Sequence, residues 1–194
     1  MGNPILETFA AIALAGVVLT ATATAQASDP AATRTAAQTA PPIAPGSPER
    51  SLSFYNTHNA ERLTAVYRRG DDCLPDSLEK IKHILRDPFD GEEGPIDPGL
   101  LDFLYDVVEK AGYVGEVHVV CGYRSVRTNT LLHNRSRDVV LRSQHLKGRA
   151  LDFRLPGFDT LKLYEIAKAM ARGGTGYYRQ SDFIQIDTGP VRSW

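Results

Sequence analysis

The sequence predicts an α+β domain over residues 49–194, with a small antiparallel sheet and helices packed on it. Two observations carry that expectation. Short runs rich in β-branched and aromatic residues, such as "EVHVV", "RALDFRL" and "DFIQIDTG", recur between turn residues, which is the pattern of strands. Between them lie longer stretches such as "DSLEKIKHIL" and "DTLKLYEIAKAM", whose apolar residues return at helical spacing.

In chain order, "RSLSFYN" and "ERLTAVYRRG" flank "THNA" and predict an opening hairpin. Asp76 stands before Leu78, Ile81, Ile84 and Leu85, with Glu79 three residues on, which predicts a helix capped by Asp76. The polar segment "DPFDGEEGPIDPG" turns the chain into a second helix that starts at Asp97-Pro98. Leu101, Leu104, Val107 and Val108 form its apolar side, and Gly112 is its stop. "EVHVV" is a strand that runs into "CGYRS". The basic stretch "VRTNTLLHNRSRDVVLRS" reads as helix and then loop, its charges forming a solvated face. "RALDFRL" is a further strand. A helix over "DTLKLYEIAKAMARGG" follows, with Asp159 as cap and Gly173-Gly174 as stop, and "TGYYRQ" with "DFIQIDTG" predicts a closing hairpin.

The N-terminus obeys other rules. "FAAIALAGVVL" is an apolar run followed by Ala25-Gln26-Ala27, which predicts a secretory signal over residues 1–27, cleaved before Ser28. The run is too short to span a bilayer, so export leaves no stable membrane span. It departs from the usual pattern in having Glu7 and no Lys or Arg ahead of the run. Residues 28–48, rich in Ala, Thr and Pro, have little to bury and are expected to be a disordered linker. The formal net charge of -1 provides no basic surplus of the kind nucleic acid selects. Two cysteines, Cys73 and Cys121, permit either one disulfide or two separate thiols.

Chemistry concentrates in three segments. In "SQHLKGRALDF", His145 precedes a strand and Asp152 lies on it, with Gly148 letting the backbone turn between them. Imidazole and carboxylate are natural zinc ligands, and catalytic zinc usually takes three protein ligands. On spacing alone, a loop histidine hydrogen-bonded to a strand aspartate accounts for the pair as well. "CGYRS" places Arg124 just after a strand, where a guanidinium can hold a carboxylate or oxyanion, or form a surface ion pair. In "SDFIQIDTGPVRSW", alternation puts Phe183, Gln185 and Asp187 on one strand face, with Asp182 just ahead of the strand.

Together, "GYRS", "SxHxxGxAxDF", "GxGYY" and "FxxxDTGPVRxW" resemble the murein endopeptidase K family of periplasmic zinc peptidases. "LSFYNTHNAERLTAVY" and "LPDSLEKIKHILRD" are similar to the same family, so the resemblance spans roughly Ser51 to Trp194. It implies the α+β fold shared by D-alanyl-D-alanine metallopeptidases and the hedgehog domain, a Zn2+ cofactor, and peptidoglycan stem peptides as substrate. By the same resemblance His145 and Asp152 match the first two zinc ligands, and Arg124 matches the residue facing the substrate. Asp182 takes the place of a general base, with Asp187 as second candidate.

The chain departs from its family at the third ligand. Where the family has histidine in "HIDTGP", this chain has Gln185 in "QIDTGP". An amide oxygen is a weak donor beside imidazole nitrogen. Three outcomes follow: zinc held by His145, Asp152 and Gln185; a substitute ligand from Cys121, His118 or His133; or an inactive fold that binds peptidoglycan peptides without cutting them. The expected function is an exported, periplasmic zinc metallopeptidase that hydrolyses peptidoglycan cross-links, with the binding module as its alternative.

Overall fold

The β-branched and aromatic runs become strands of one sheet, and the amphipathic stretches become the helices that cover it. The computed structural model describes residues 47–136 and 139–194. The expected signal segment 1–27 lies outside the described residues, as does the linker 28–48 apart from its last two positions. The strands are β1 (Glu49–Asn56), β2 (Arg62–Arg69), β3 (Asp72–Cys73), β4 (Val117–Cys121), β5 (Ala150–Arg154), β6 (Gly174–Tyr178), β7 (Phe183–Asp187) and β8 (Arg192–Ser193). The helices are α1 (Pro75–Ile84), α2 (Pro98–Lys110), α3 (Val126–Arg135) and α4 (Thr160–Ala169).

The sheet differs from the small antiparallel one that the sequence predicts. Among the described residues it has eight strands in the order β3-β2-β1-β4-β5-β7-β6-β8, and two of its pairs, β1–β4 and β6–β8, are parallel. Between β1 and β4 the chain passes through α1 and α2, and such a helical crossover brings a strand back parallel to the first. At the other end β5 already occupies one edge of β7, so the chain doubles back from β7 and joins the free edge of β6. Both predicted hairpins form, β1–β2 and β6–β7.

Helix ends follow local chemistry. Asp97 caps α2, its Oδ1 accepting the Gly99 N–H at 2.9 Å, and Asp159 caps α4 through the Lys162 N–H at 2.8 Å. The expected cap of α1 is displaced. Pro75 takes the first helical position, where its missing N–H has no role, so Leu74 becomes the cap and Asp76 falls within the first turn.

The central strands have two unlike faces. Val117 and Val119 of β4, Leu151 and Phe153 of β5, and Ile184 and Ile186 of β7 join one apolar cluster with Ile81 of α1, Leu104 of α2 and Leu163 of α4. The other face carries Cys121, Asp152 and Gln185 in register, with Asp152 opposite Cys121 on β4 and opposite Gln185 on β7. For Cys121 this placement depends on a bulge. Val119 pairs with Phe153 and Cys121 with Asp152, so Val120 has no partner of its own. Regular alternation would send Cys121 to the apolar face with Val117 and Val119, and the extra residue turns it to the polar one.

The two thiols are free. β3 and β4 stand three strand spacings apart, about 14 Å at roughly 4.8 Å each. A disulfide needs Cα atoms within about 7 Å, so Cys73 and Cys121 cannot bridge.

Candidate metal centre and substrate cleft

His145 sits on a short 3-10 turn, Gln144–Lys147, that delivers the chain to β5. Ser143 caps the turn, accepting the His145 N–H at 3.3 Å, and Gly148 closes it at φ +62. No other residue fits there, because a Cβ would lie 1.8 Å from the Pro95 carbonyl oxygen. The turn hangs the imidazole over Asp152 in the middle of the row Cys121–Asp152–Gln185.

The imidazole has a fixed tautomer. Its Nδ1 lies 2.7 Å from the Gly122 carbonyl oxygen, which can only accept, so Nδ1 carries the proton and donates it. Nε2 is then left to face Asp152 Oδ1 at 3.4 Å. Both atoms are buried and neither has a hydrogen-bond partner. A lone pair and a carboxylate oxygen facing each other inside a protein demand a cation between or on them. Burial alone would lower the pKa of His145, yet the neighbouring Asp152 and Cys121 charges raise it to about 10. The site selects positive charge, whether proton or metal ion.

The donor set suits a zinc-like ion. Two ligands at about 2.0–2.1 Å from a tetrahedral ion stand about 3.4 Å apart, which matches the Nε2–Oδ1 separation. The ligand atoms of Cys121, His145 and Asp152 all lie within 4.8 Å of one another. Burial raises the pKa of the Cys121 thiol, but Arg124 and His145 outweigh it and bring the pKa below its usual value.

Arg124 is held from both ends. Its Nη2 donates to Cys121 Sγ at 3.3 Å and its Nη1 to Asn129 Oδ1 at 3.4 Å. Its backbone N–H donates to the His145 carbonyl at 3.2 Å. The turn that carries it is anchored by Asp87, fully buried, which accepts the Ser125 N–H at 2.7 Å and the Phe89 N–H at 2.7 Å.

Cys121, Arg124, His145 and Asp152 line a cleft of about 390 Å³. One wall is aromatic: Tyr178 and Phe183 stack at 4.6 Å, and Trp194 donates its Nε1–H to the Tyr178 hydroxyl at 3.1 Å. Gly176 makes room for that tryptophan, since a Cβ there would press within 2.5 Å of its ring. Leu132 of α3 and Val140 also line the cleft.

Of the residues singled out in the sequence, Arg124, His145, Asp152 and Gln185 all line this cleft. Gln185 is turned aside, its Nε2 donating to Asp187 Oδ2 at 3.2 Å. Asp187, the second candidate base, is wholly buried and engaged by Arg192 at 3.0 and 2.7 Å and by the Gly189 N–H at 2.8 Å. Asp182 is not brought to the cleft. It shares strand parity with the core residues Ile184 and Ile186, and its left-handed backbone at φ +52 turns the side chain out to solvent, where Thr160 hydrogen-bonds it. The candidate base Asp182 thus stands off the cleft lining. His118 and His133 lie outside the cleft lining as well.

Sequence reasoning assigned no role to Tyr178, Trp194, Arg192 or Asp87. The first three sit in the quoted motifs "GxGYY" and "FxxxDTGPVRxW", which was the only signal for them. Among the described residues, no helix is long and apolar enough to cross a membrane.

Comparison with known proteins places the chain among relatives of one kind. The family described as peptidoglycan L,D-endopeptidase MepK matches residues 45–194. A probable peptidoglycan L,D-endopeptidase MepK of Haemophilus influenzae is 38% identical over 146 residues, covering 75% of this chain and 78% of the relative. The peptidoglycan L,D-endopeptidase MepK of Escherichia coli K12 is 39% identical over 145 residues, covering 75% and 80%. No solved structure matches.

Proposed function

The chain belongs to the peptidoglycan L,D-endopeptidase MepK family, and from that premise we propose that it is an exported, periplasmic zinc peptidase that hydrolyses peptide cross-links of peptidoglycan. One observation supports the metal part of this reading above the rest. His145 Nε2 and Asp152 Oδ1 are buried, unpartnered and 3.4 Å apart, and the other ring nitrogen is already committed to the Gly122 carbonyl. Metal-ligating histidines are usually fixed in this way, through a hydrogen bond at the second nitrogen.

In this reading His145 and Asp152 hold the ion. The chemistry that zinc supplies when bound is Lewis-acid polarisation of a carbonyl and acidification of water. The chain's own groups do the rest. The Arg124 guanidinium at the cleft floor orients the scissile peptide and meets the negative charge that develops on its carbonyl oxygen. Tyr178 stays protonated, because burial and the nearby Asp152 raise its pKa. Its oxygen accepts the Trp194 N–H, leaving its own proton to donate into the cleft. The stacked Tyr178 and Phe183 offer a flat apolar surface to a peptide strand.

Incubation of the full chain with cross-linked muropeptides tests the proposal. Chelator-sensitive cleavage that disappears in Asp152→Asn is the expected result. A folded, metal-loaded chain that leaves cross-links intact, yet binds sacculi with or without chelator, would replace the peptidase with the binding module.

A further inference from the structure

We propose that Cys121 is the third protein ligand of the metal, so that this chain has moved a ligand from β7 to β4, across the aspartate that lies between them. The inference rests on the reading of His145 and Asp152 as metal ligands and departs from the family pattern in which a histidine at position 185 completes the set.

The register makes the exchange possible. Asp152 has two neighbours on the polar face of the sheet, Gln185 on one side and Cys121 on the other. An ion held over Asp152 by His145 is within reach of either strand. On the β7 side stands an amide whose Nε2 is spent on Asp187 and whose oxygen is a weak donor. On the β4 side stands a buried thiol whose sulfur, His145 nitrogen and Asp152 oxygen lie within 4.8 Å of one another. His145 Nε2 and Asp152 Oδ1 are both buried without a hydrogen-bond partner.

The bulge is the second, independent sign. Were β4 regularly paired through Val120, Cys121 would face the apolar cluster, and the thiol reaches the site only because β4 breaks its register one residue before it. Arg124, donating to the sulfur at 3.3 Å, favours the thiolate that coordination requires. Binding replaces the thiol proton, which leaves to solvent. The resulting set is a thiolate, a carboxylate and a neutral imidazole, which neutralises a divalent ion. It suits zinc and excludes calcium and magnesium, which take oxygen donors.

The test uses the full chain loaded with cobalt(II) in place of zinc, beside Cys121→Ser, Gln185→Ala and the double variant Cys121→Ser/Gln185→His. Each is checked for folding by circular dichroism. We expect near-ultraviolet thiolate-to-cobalt charge-transfer absorption in the unmodified chain and in Gln185→Ala. Cys121→Ser should lose that absorption and weaken metal binding by at least about 10–100-fold. The double variant should regain affinity without regaining the absorption. The spectrum of the unmodified chain decides the matter even if a variant fails to fold. Absence of the thiolate band in the loaded chain, unchanged affinity in Cys121→Ser, or no metal uptake at all would each overturn the assignment. Cleavage is read separately: a loaded chain with the thiolate band and no hydrolysis overturns the peptidase reading and leaves the ligand in place.

Discussion

The two faces of strands β4, β5 and β7 are built from alternate residues of the same segments and obey opposite rules. On one face Val119, Phe153 and Ile184 are sealed under helices, and each gains by leaving water. On the other, Asp152 and His145 are almost as deeply buried, yet they present atoms without partners. The first face stabilises the fold whether or not anything is bound. The second stabilises it only when something positive occupies it. A buried polar group that the protein leaves unpaired is therefore a better pointer to function than a buried apolar one.

That contrast can be sharpened or broken by experiment. Phe153→Ala, on the apolar face, should lower unfolding free energy by about 3–5 kcal/mol in denaturant titration. Its neighbour Asp152→Asn should do the reverse in kind. Cross-link cleavage should fall by at least about 100-fold, as expected for loss of a metal ligand, while the chelated variant, compared above the folded His145 pKa of about 10, unfolds no more easily than the parent. If Asp152→Asn unfolds as readily as Phe153→Ala, the two faces are not distinct in the way described.

A pH titration of chelator-treated protein separates the faces again. His145 has its pKa raised from 6.5 to about 10 in the folded chain. A group with a raised folded pKa contributes stability that is complete below its unfolded pKa and is lost as pH rises through the folded one. Melting temperature should therefore decline between about pH 6.5 and pH 10. Phe153→Ala should keep that slope and Asp152→Asn should flatten it. The smallest effect belongs to Asp182→Asn. A solvent-facing carboxylate off the cleft should change turnover by no more than about twofold, corresponding to roughly 0.5 kcal/mol. A loss of 100-fold there would identify Asp182 as the base.

Much of this was legible beforehand, and the reasons differ by residue. Strands and helices were readable because their apolar residues recur at periods set by backbone geometry. His145, Asp152 and Arg124 were readable because they sit in ordered motifs of recognisable spacing. The mixed character of the sheet was not, since whether β4 returns parallel to β1 depends on a crossover and not on the composition of either strand. The position of Asp182 escaped for a local reason: one left-handed residue breaks the alternation that would otherwise assign its face. Cys121 was visible as a possible ligand, but its reach was not. Periodicity sends it to the core, and a bulge leaves no mark in composition.

The wide separation of the two thiols has a further chemical consequence. Peroxide converts a thiolate to sulfenic acid with release of hydroxide, and proteins that tolerate this usually trap the product with a neighbouring thiol. Cys121 has no such neighbour, because Cys73 stands three strands away. In an oxidising compartment its sulfenic acid would advance to the irreversible sulfinic state. The protection the fold provides is coverage, with Cys121 only 8% exposed. Damage at this one atom would be permanent, and replacement of the molecule, not its repair, would restore the site.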